Sequence, residues 1–258
     1  MAQTLRMIVE YDGTPFNGWQ QQQHLPSVQQ TLAKALQRLT GEADVRLICA
    51  GRTDAGVHAY AQVVSFVSQS SLEAKRFTPG LNRFLPDSVR IHGCEPVPET
   101  FNARFAAHSK RYRYRIYNGP HRVALDRWRA WHVRGELDLE AMARAGELLI
   151  GEHDFNAFRS AHCEAAHARR RMVEISLAHS PRPPVGQFVD LTFHANAFCR
   201  HMCRILAGTL VEVGQGRRPA ASMPQILASR QRQAAGVTAP AWGLTLVEVL
   251  YKGDRSPS

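Results

Sequence analysis

Ser27-Val28-Gln29-Gln30-Thr31-Leu32-Ala33-Lys34-Ala35-Leu36-Gln37-Arg38-Leu39-Thr40-Gly41 is a complete helix written in sequence. Val28, Leu32, Leu36 and Leu39 recur at helical spacing and share one face. Ser27 with Gln30 reads as a capping box at the start, and Gly41 as the stop. On its N-terminal side lies the strand-like Met7-Ile8-Val9-Glu10-Tyr11, then the turn Asp12-Gly13-Thr14-Pro15. On its C-terminal side come two strand-like runs, Val45 to Cys49 and Gln62 to Val67. A second helix is expected over Ala74 to Phe84, broken or kinked at Pro79-Gly80. Val89-Arg90-Ile91-His92 is a fourth strand. The order is β-α-β-β-α-β, that of a ferredoxin-like unit.

The order repeats. Arg111 to Tyr117 alternates like a strand. Asp138 can cap a helix carrying Leu139, Met142, Ala143, Gly146 and Leu149 on one face, with Gly151 as its stop. Met172 to Ala178 and Phe188 to Phe193 are strands joined by the Pro-rich turn Ser180 to Gly186. A helix around His201 to Val213 buries Met202, Ile205, Leu206, Thr209 and Val213 and ends at Gly214. A shorter helix near Pro224 to Ser229 and a strand from Leu244 to Leu250 follow. The expected fold class is α+β, with two ferredoxin-like halves spanning residues 1–107 and 108–258. The tail from Gly253 to Ser258 is expected to fray.

The 258 residues are 44% hydrophobic and 21% charged, enough for an ordinary folded core. No apolar run reaches membrane-spanning length, and the N-terminus lacks a basic segment followed by an apolar one. A cytoplasmic protein is expected. Lys and Arg number 32 against 22 Asp and Glu, a formal charge of +10. That excess points to a polyanionic partner, and Arg in particular suits phosphate. Five cysteines at scattered positions do not form a disulfide framework. Cys199 and Cys203 flank His201, and His162, Cys163 and His167 cluster, but neither set has zinc-ligand spacing, so no metal site is expected.

Gly51-Arg52-Thr53-Asp54-Ala55-Gly56-Val57-His58-Ala59 joins two expected strands and gathers an aspartate, an arginine and a histidine between glycines. A short polar connection of this kind is a natural active site, or else a tight turn in which Asp54 bonds its own backbone.

That loop resembles the catalytic loop of the tRNA pseudouridine synthase A family. So, in family order, do Tyr11-Asp12-Gly13-Thr14-Pro15-Phe16-Asn17-Gly18-Trp19-Gln20, Gly80 to Pro86, Phe101-Asn102-Ala103-Arg104-Phe105, Lys110 to Tyr114, Ala195-Asn196-Ala197-Phe198 and His201-Met202-Cys203-Arg204. The resemblance implies the pseudouridine synthase fold, two ferredoxin-like halves in one continuous sheet around a central catalytic cleft, and a homodimer. It implies isomerisation of uridine to pseudouridine in the anticodon arm of tRNA at positions 38, 39 and 40, without a cofactor. No DNA partner is expected.

Asp54 matches the family's nucleophile, Arg204 its arginine partner and Tyr112 its cleft tyrosine. Arg52 lies two residues from Asp54 and could help hold the carboxylate ionised. Tyr112 could stack on a flipped uracil or act as base. Strand alternation turns Arg111, Arg113 and Arg115 to the other face, which favours stacking. Candidate RNA-binding residues are Arg83, Phe101, Asn102, Ala103, Arg104, Phe105, Lys110, Arg111, Arg159, Cys163 and Arg170. Glu164 and Ala168 depart from the family's usual glutamine and proline. Two other readings are a non-catalytic RNA-binding protein and a metal-dependent nuclease or phosphatase built on Asp54 and His58. The first leaves the full set of Arg52, Asp54, Tyr112 and Arg204 without a purpose. The second lacks the converging carboxylates that two-metal chemistry uses, and it predicts loss of activity in EDTA where the synthase reading predicts none.

Overall fold

The computed structural model describes residues 2–253. The tail expected to fray lies outside them beyond Gly253. In chain order the elements are β1 (Gln3–Tyr11), α1 (Val28–Thr40), β2 (Ile48–Cys49), β3 (His58–Ser68), α2 (Ala74–Phe84), β4 (Val89–Pro96), β5 (Ala107–Asn118), β6 (Trp131–Val133), α3 (Leu139–Glu147), β7 (Gly151–Asp154), β8 (Arg169–Pro181), β9 (Gln187–Ala195), α4 (Met202–Gly214), α5 (Met223–Ser229) and β10 (Leu244–Tyr251). The fold is mixed α+β, and its strands pair mostly antiparallel. No helix among the described residues is long and apolar enough to cross a membrane.

The chain divides into two compact units, one of residues up to 108 together with those from 246 onward, the other of residues 109–245. In the first unit the strand order is β4-β1-β3-β10, with β2 also pairing to β3. Leu5, Met7 and Val9 alternate along β1 and are fully buried. Each such side chain contributes about 1.5–3 kcal/mol by leaving water. Val28, Leu32, Ala35 and Leu36 form the buried stripe of α1, Ser27 caps it by accepting from the Gln30 N–H, and Gly41 closes it at φ 80°. Where α2 meets α1, a side-chain carbon on Gly80 would lie 2.6 Å from Leu39 Cδ1. The glycine lets the two helices approach.

Several sequence expectations needed adjustment here. The expected strand from Val45 shrinks to Ile48–Cys49. β3 begins at His58, four residues before the expected start, so His58 and Ala59 belong to the strand and not to the loop. α2 is not broken at Pro79 and runs through it. Proline removes one hydrogen bond, to the carbonyl four residues back. That carbonyl belongs to Lys75, in the exposed first turn where water can replace the donor, and Pro79 itself is exposed.

At the end of β3 the Glu42 carboxylate accepts hydrogen bonds from Ser68 Oγ (2.5 Å) and from the N–H groups of Gln69 (3.0 Å) and Ser70 (3.3 Å). Partial burial pushes the Glu42 pKa up, but these donors outweigh it and the net shift is downward. A carboxylate with a lowered folded pKa stabilises above its unfolded pKa and loses that stabilisation as pH falls through the folded value. Glu42→Gln should therefore cost about 0.5–1 kcal/mol at neutral pH, after allowance for solvent screening. Denaturant melts of both proteins should converge as pH drops below the carboxylate range. A gap that persists in acid would assign the effect to shape and not to charge.

In the second unit the order is β5-β9-β8-β7, antiparallel throughout, with β6 parallel to β5. β6 and β7 are short strands that periodicity did not reveal. α3 ends at Glu147, and Gly151, expected to stop it, opens β7 at φ 114°. The last strand, expected in the second half, lies from Leu246 onward in the first unit. Its pattern of apolar residues suits any central strand, so nothing local says which unit receives it.

Candidate active site

In the first unit the loop from Ala50 to Val57 is fixed residue by residue. Gln62, fully buried on β3, donates from Nε2 to the Gly51 carbonyl at 2.7 Å. The Tyr11 hydroxyl, at the end of β1, lies 2.8 Å from Thr53 Oγ1 and 3.4 Å from Gln62 Nε2. Burial pushes the Tyr11 phenol well above its ordinary value, so it stays protonated.

The segment Asp12–Trp19 lies along the same loop. The Trp19 N–H donates to the Thr53 carbonyl (3.0 Å) and the Gly56 N–H to the Phe16 carbonyl (3.2 Å). The Gly13 N–H donates to His58 Nδ1 at 3.0 Å, and Asp12 Oδ1 lies 3.1 Å from that nitrogen. The approach is close enough to exclude side chains. A Cβ on Gly18 would lie 2.5 Å from the Thr53 oxygen, and Gly18 already has φ 88°.

Asp54 sits between these anchors. Its carbonyl accepts from the Val57 N–H at 3.1 Å, closing a β-turn with Gly56 at φ 77°. The carboxylate side chain is half-buried, and Arg52 is exposed. The residues on both sides of Asp54 are thus tied to β1, β3 and the Asp12–Trp19 segment, while Asp54 keeps access to solvent. Fixed backbone around an accessible carboxylate is what a nucleophile needs. The sequence singles out Asp54 and Arg52 but not Tyr11, Thr53 and Gln62, which hold their loop. The available signal was Gln62, a polar residue at an inward position of an apolar strand.

The Phe101–Phe105 stretch belongs to the same unit and divides by role. The Phe101 ring packs 5.3 Å from Tyr251, Asn102 Oδ1 accepts from the N–H groups of Arg104 and Phe105, and Ala103 is buried with its carbonyl accepting from the Tyr251 hydroxyl at 2.8 Å. These three shape the turn. Arg104 and Phe105 are what the turn presents: Phe105 is 80% exposed, with the Arg104 guanidinium 5.6 Å from its ring. Arg83 on α2 is exposed.

In the second unit Tyr112 lies on β5 opposite Phe193. It is 7% exposed and meets Phe198 edge-on, with centroids 5.1 Å apart at 82°. Arg115, on the other face of β5, forms a forked pair with Asp190 at 2.8 and 2.6 Å. Arg111 lies 3.9 Å from Glu174. Lys110 is half-buried. Arg204, on the first turn of α4, donates from Nε to the Ala239 carbonyl at 2.8 Å, and its own carbonyl accepts from the Ala239 N–H at 3.1 Å. This reciprocal pair fixes the side chain at its Nε. Tyr114, next inward on β5, is pushed well above its ordinary pKa by burial, against the opposing pull of the Arg204 charge, and its hydroxyl donates to the Pro240 carbonyl.

Arg159 is half-buried and donates to the Ala165 carbonyl at 3.2 Å. Arg170, expected among the RNA-binding residues, is only 8% exposed and donates to the Arg169 carbonyl. Alternation along β8 turns it inward between exposed Arg169 and Arg171. Nothing in one sequence says which ring Phe198 packs against, so its contact with Tyr112 carries no local signal.

A sequence profile described as tRNA pseudouridine synthase matches residues 7–106 and 145–252. The chain belongs to that family. It is 43% identical over 247 residues to the tRNA pseudouridine synthase A of Geotalea daltonii, covering 96% of this chain and 99% of that one. The corresponding protein of Acetivibrio thermocellus is 45% identical with the same coverage, and that of Myxococcus xanthus 46% identical over 98% of this chain and 94% of its own. As a member of the tRNA pseudouridine synthase family the chain is an RNA-modifying isomerase acting on tRNA. The profile's matched segments include Asp54 and Arg204. Lys110, Arg111 and Tyr112 fall between them, within the span aligned to the full-length relatives.

Proposed function

We propose that this family member converts uridine to pseudouridine in the anticodon arm of tRNA, at positions 38, 39 and 40, with Asp54 as its nucleophile. The observation that carries the reading is the immobilised backbone on either side of a half-buried Asp54, within a loop that resembles the family's catalytic loop. In the reaction the N1–C1′ bond breaks, the uracil turns, and C5 bonds to C1′. The C5 hydrogen leaves to solvent and N1 gains a proton, so no cofactor enters. Arg52, two residues from Asp54 in the same loop, helps keep the carboxylate ionised, as a nearby cation does, and the family resemblance gives Arg204 the part of arginine partner. Tyr112 contributes its ring to the displaced uracil.

Taking a base out of a stem costs a few kcal/mol. Phosphate contacts and stacking must offset that cost, and the exposed Arg104–Phe105 pair suits both. Arg83, Lys110, Arg111 and Arg159 are further phosphate ligands in this reading. The excess of ten positive charges agrees with such a partner. We further propose that each half is a ferredoxin-like unit, that the protein works as a homodimer, and that it acts in the cytoplasm. The test is release of tritium from tRNA transcripts labelled at uracil C5. The reading expects release into water, confined to transcripts with uridine at positions 38 to 40 and unaffected by EDTA. Release that depends on uridines elsewhere in the tRNA would overturn the positional assignment.

A further inference from the structure

Within the second unit, two cysteines distant in sequence meet beside a cluster of arginines. Cys163 is half-buried in the loop that follows Arg159, and Cys199 is buried just before α4. The Cys163 sulfur lies against the backbone that directly follows Cys199, and each thiol shifts the ionisation of the other. The surrounding backbone holds them there. The Arg200 N–H donates to Cys163 Sγ at 3.4 Å, the Ser160 N–H to the Arg200 carbonyl at 3.0 Å, and Arg200 Nη1 to the His162 carbonyl at 3.3 Å. Among the described residues no group of three potential metal ligands occurs, so the pair is not part of a metal cluster.

We infer that Cys163 and Cys199 form a redox-active dithiol: a hydroperoxide oxidises Cys163, and Cys199 resolves the product to a reversible disulfide. The two sulfurs differ in the way such chemistry requires. Burial pushes the Cys163 thiol up, but the N–H groups of Ala165 and Arg200, the Cys199 thiol and the Arg159 charge outweigh it and bring it below its ordinary value. An accessible thiolate in an electropositive setting is the form that reacts with oxidants. Cys199 is pushed up to about 11, chiefly by burial, with the charge of buried Arg170 acting against that rise. It remains a thiol in reserve. Elsewhere, Cys94 is pushed up to about 12 by burial and by Glu95, and Cys49 and Cys203 are buried.

The steps balance. The Cys163 thiolate attacks one peroxide oxygen, the O–O bond breaks, and the departing oxygen leaves as water or alcohol after taking up a proton, leaving a sulfenic acid. The Cys199 sulfur then attacks that sulfur, the S–O bond breaks, and hydroxide leaves with the Cys199 proton as water. Two thiols are oxidised and one hydroperoxide is reduced. The new bond would lock the Arg159–Cys163 loop to the segment containing Phe198, whose ring backs Tyr112. Oxidation should therefore slow tRNA turnover, and this consequence rests on the function proposed above.

The experiment treats the reduced full-length protein with hydrogen peroxide and maps tryptic peptides without reductant. A Cys163–Cys199 linked peptide that dithiothreitol releases is expected, together with a loss of C5-tritium release that dithiothreitol restores. Cys199→Ala should match wild-type turnover when reduced. After peroxide it should yield no linked peptide, and a dione probe should label Cys163 as sulfenic acid. Both thiols remaining open to alkylation after peroxide, or linkage to a different cysteine, would overturn the dithiol. A linked peptide with unchanged turnover would overturn its control of the reaction. Absence of tritium release even from reduced wild type would count against the proposed function alone, because peptide mapping does not depend on it.

Discussion

Asp54→Asn should abolish C5-tritium release while tRNA binding persists. The substitution keeps the size and planarity of the side chain and removes its charge, so the turn closed by the Asp54 carbonyl and the Val57 N–H stays intact. A neutral amide is a far weaker nucleophile than a carboxylate. In enzymes whose nucleophile is deleted, turnover falls by about 10⁴-fold or more. Binding rests on phosphate contacts and stacking elsewhere, and removing a negative charge does not oppose a polyanion. The measurements are tritium release under single turnover and filter binding of the same tRNA. Turnover within about tenfold of wild type would exclude Asp54 as the nucleophile. Loss of binding in parallel with turnover would instead make it a structural residue.

Gly13→Ala should be strongly damaging although the residue carries no functional group. A Cβ at Gly13 would lie 2.1 Å from the Val57 oxygen, 2.5 Å from its carbonyl carbon and 2.9 Å from its nitrogen. All three are backbone atoms and cannot swing aside as a side-chain tip would. Either the Asp12–Trp19 segment lifts away or the loop carrying Asp54 shifts. Overpacking of this kind costs about 1–3 kcal/mol, and a displacement of about 1 Å near a reacting group costs about 10²-fold in rate. Gly93→Ala is the control, because nothing lies within 4 Å of the added carbon. Denaturant melts and single-turnover rates of the two variants should separate clearly. If Gly13→Ala matched Gly93→Ala in both, the close approach would have no functional weight.

Much of this architecture was readable from residue order. Ser27, Leu32, Leu36 and Gly41 placed α1 because a helix carries its cap, stripe and stop locally. Asp138 did the same for the start of α3. The misjudged elements were those decided by distant partners. Gly151 looked like a helix stop, but it opens an edge strand whose pairing to β8 cannot be seen from residues 139–151. Pro79 looked like a break, but its lost bond falls in the exposed first turn of α2. At the site, Asp54 stood out because few connections combine that charge and glycine content. Tyr11, Thr53 and Gln62 did not, because a buried network between three segments has no sequence period. Arg170 belongs to a stretch that resembles a family RNA-contacting segment, and its inward position comes from strand alternation along β8.

The placement of the strand from Leu246 onward has a consequence for synthesis. It pairs with β3 in the first unit, yet the entire second unit is translated between them. During vectorial synthesis the flank of β3 that this strand covers has no partner until nearly all of the chain has left the ribosome, whereas residues 109–245 can collapse as one uninterrupted run. Domains tend to fold in order of emergence; here the segment that emerges first is completed last. Nascent chains stalled before Leu246 should therefore expose the part of the β3 edge that β2 does not pair, making the half-made protein a natural client for chaperones that shield open strands.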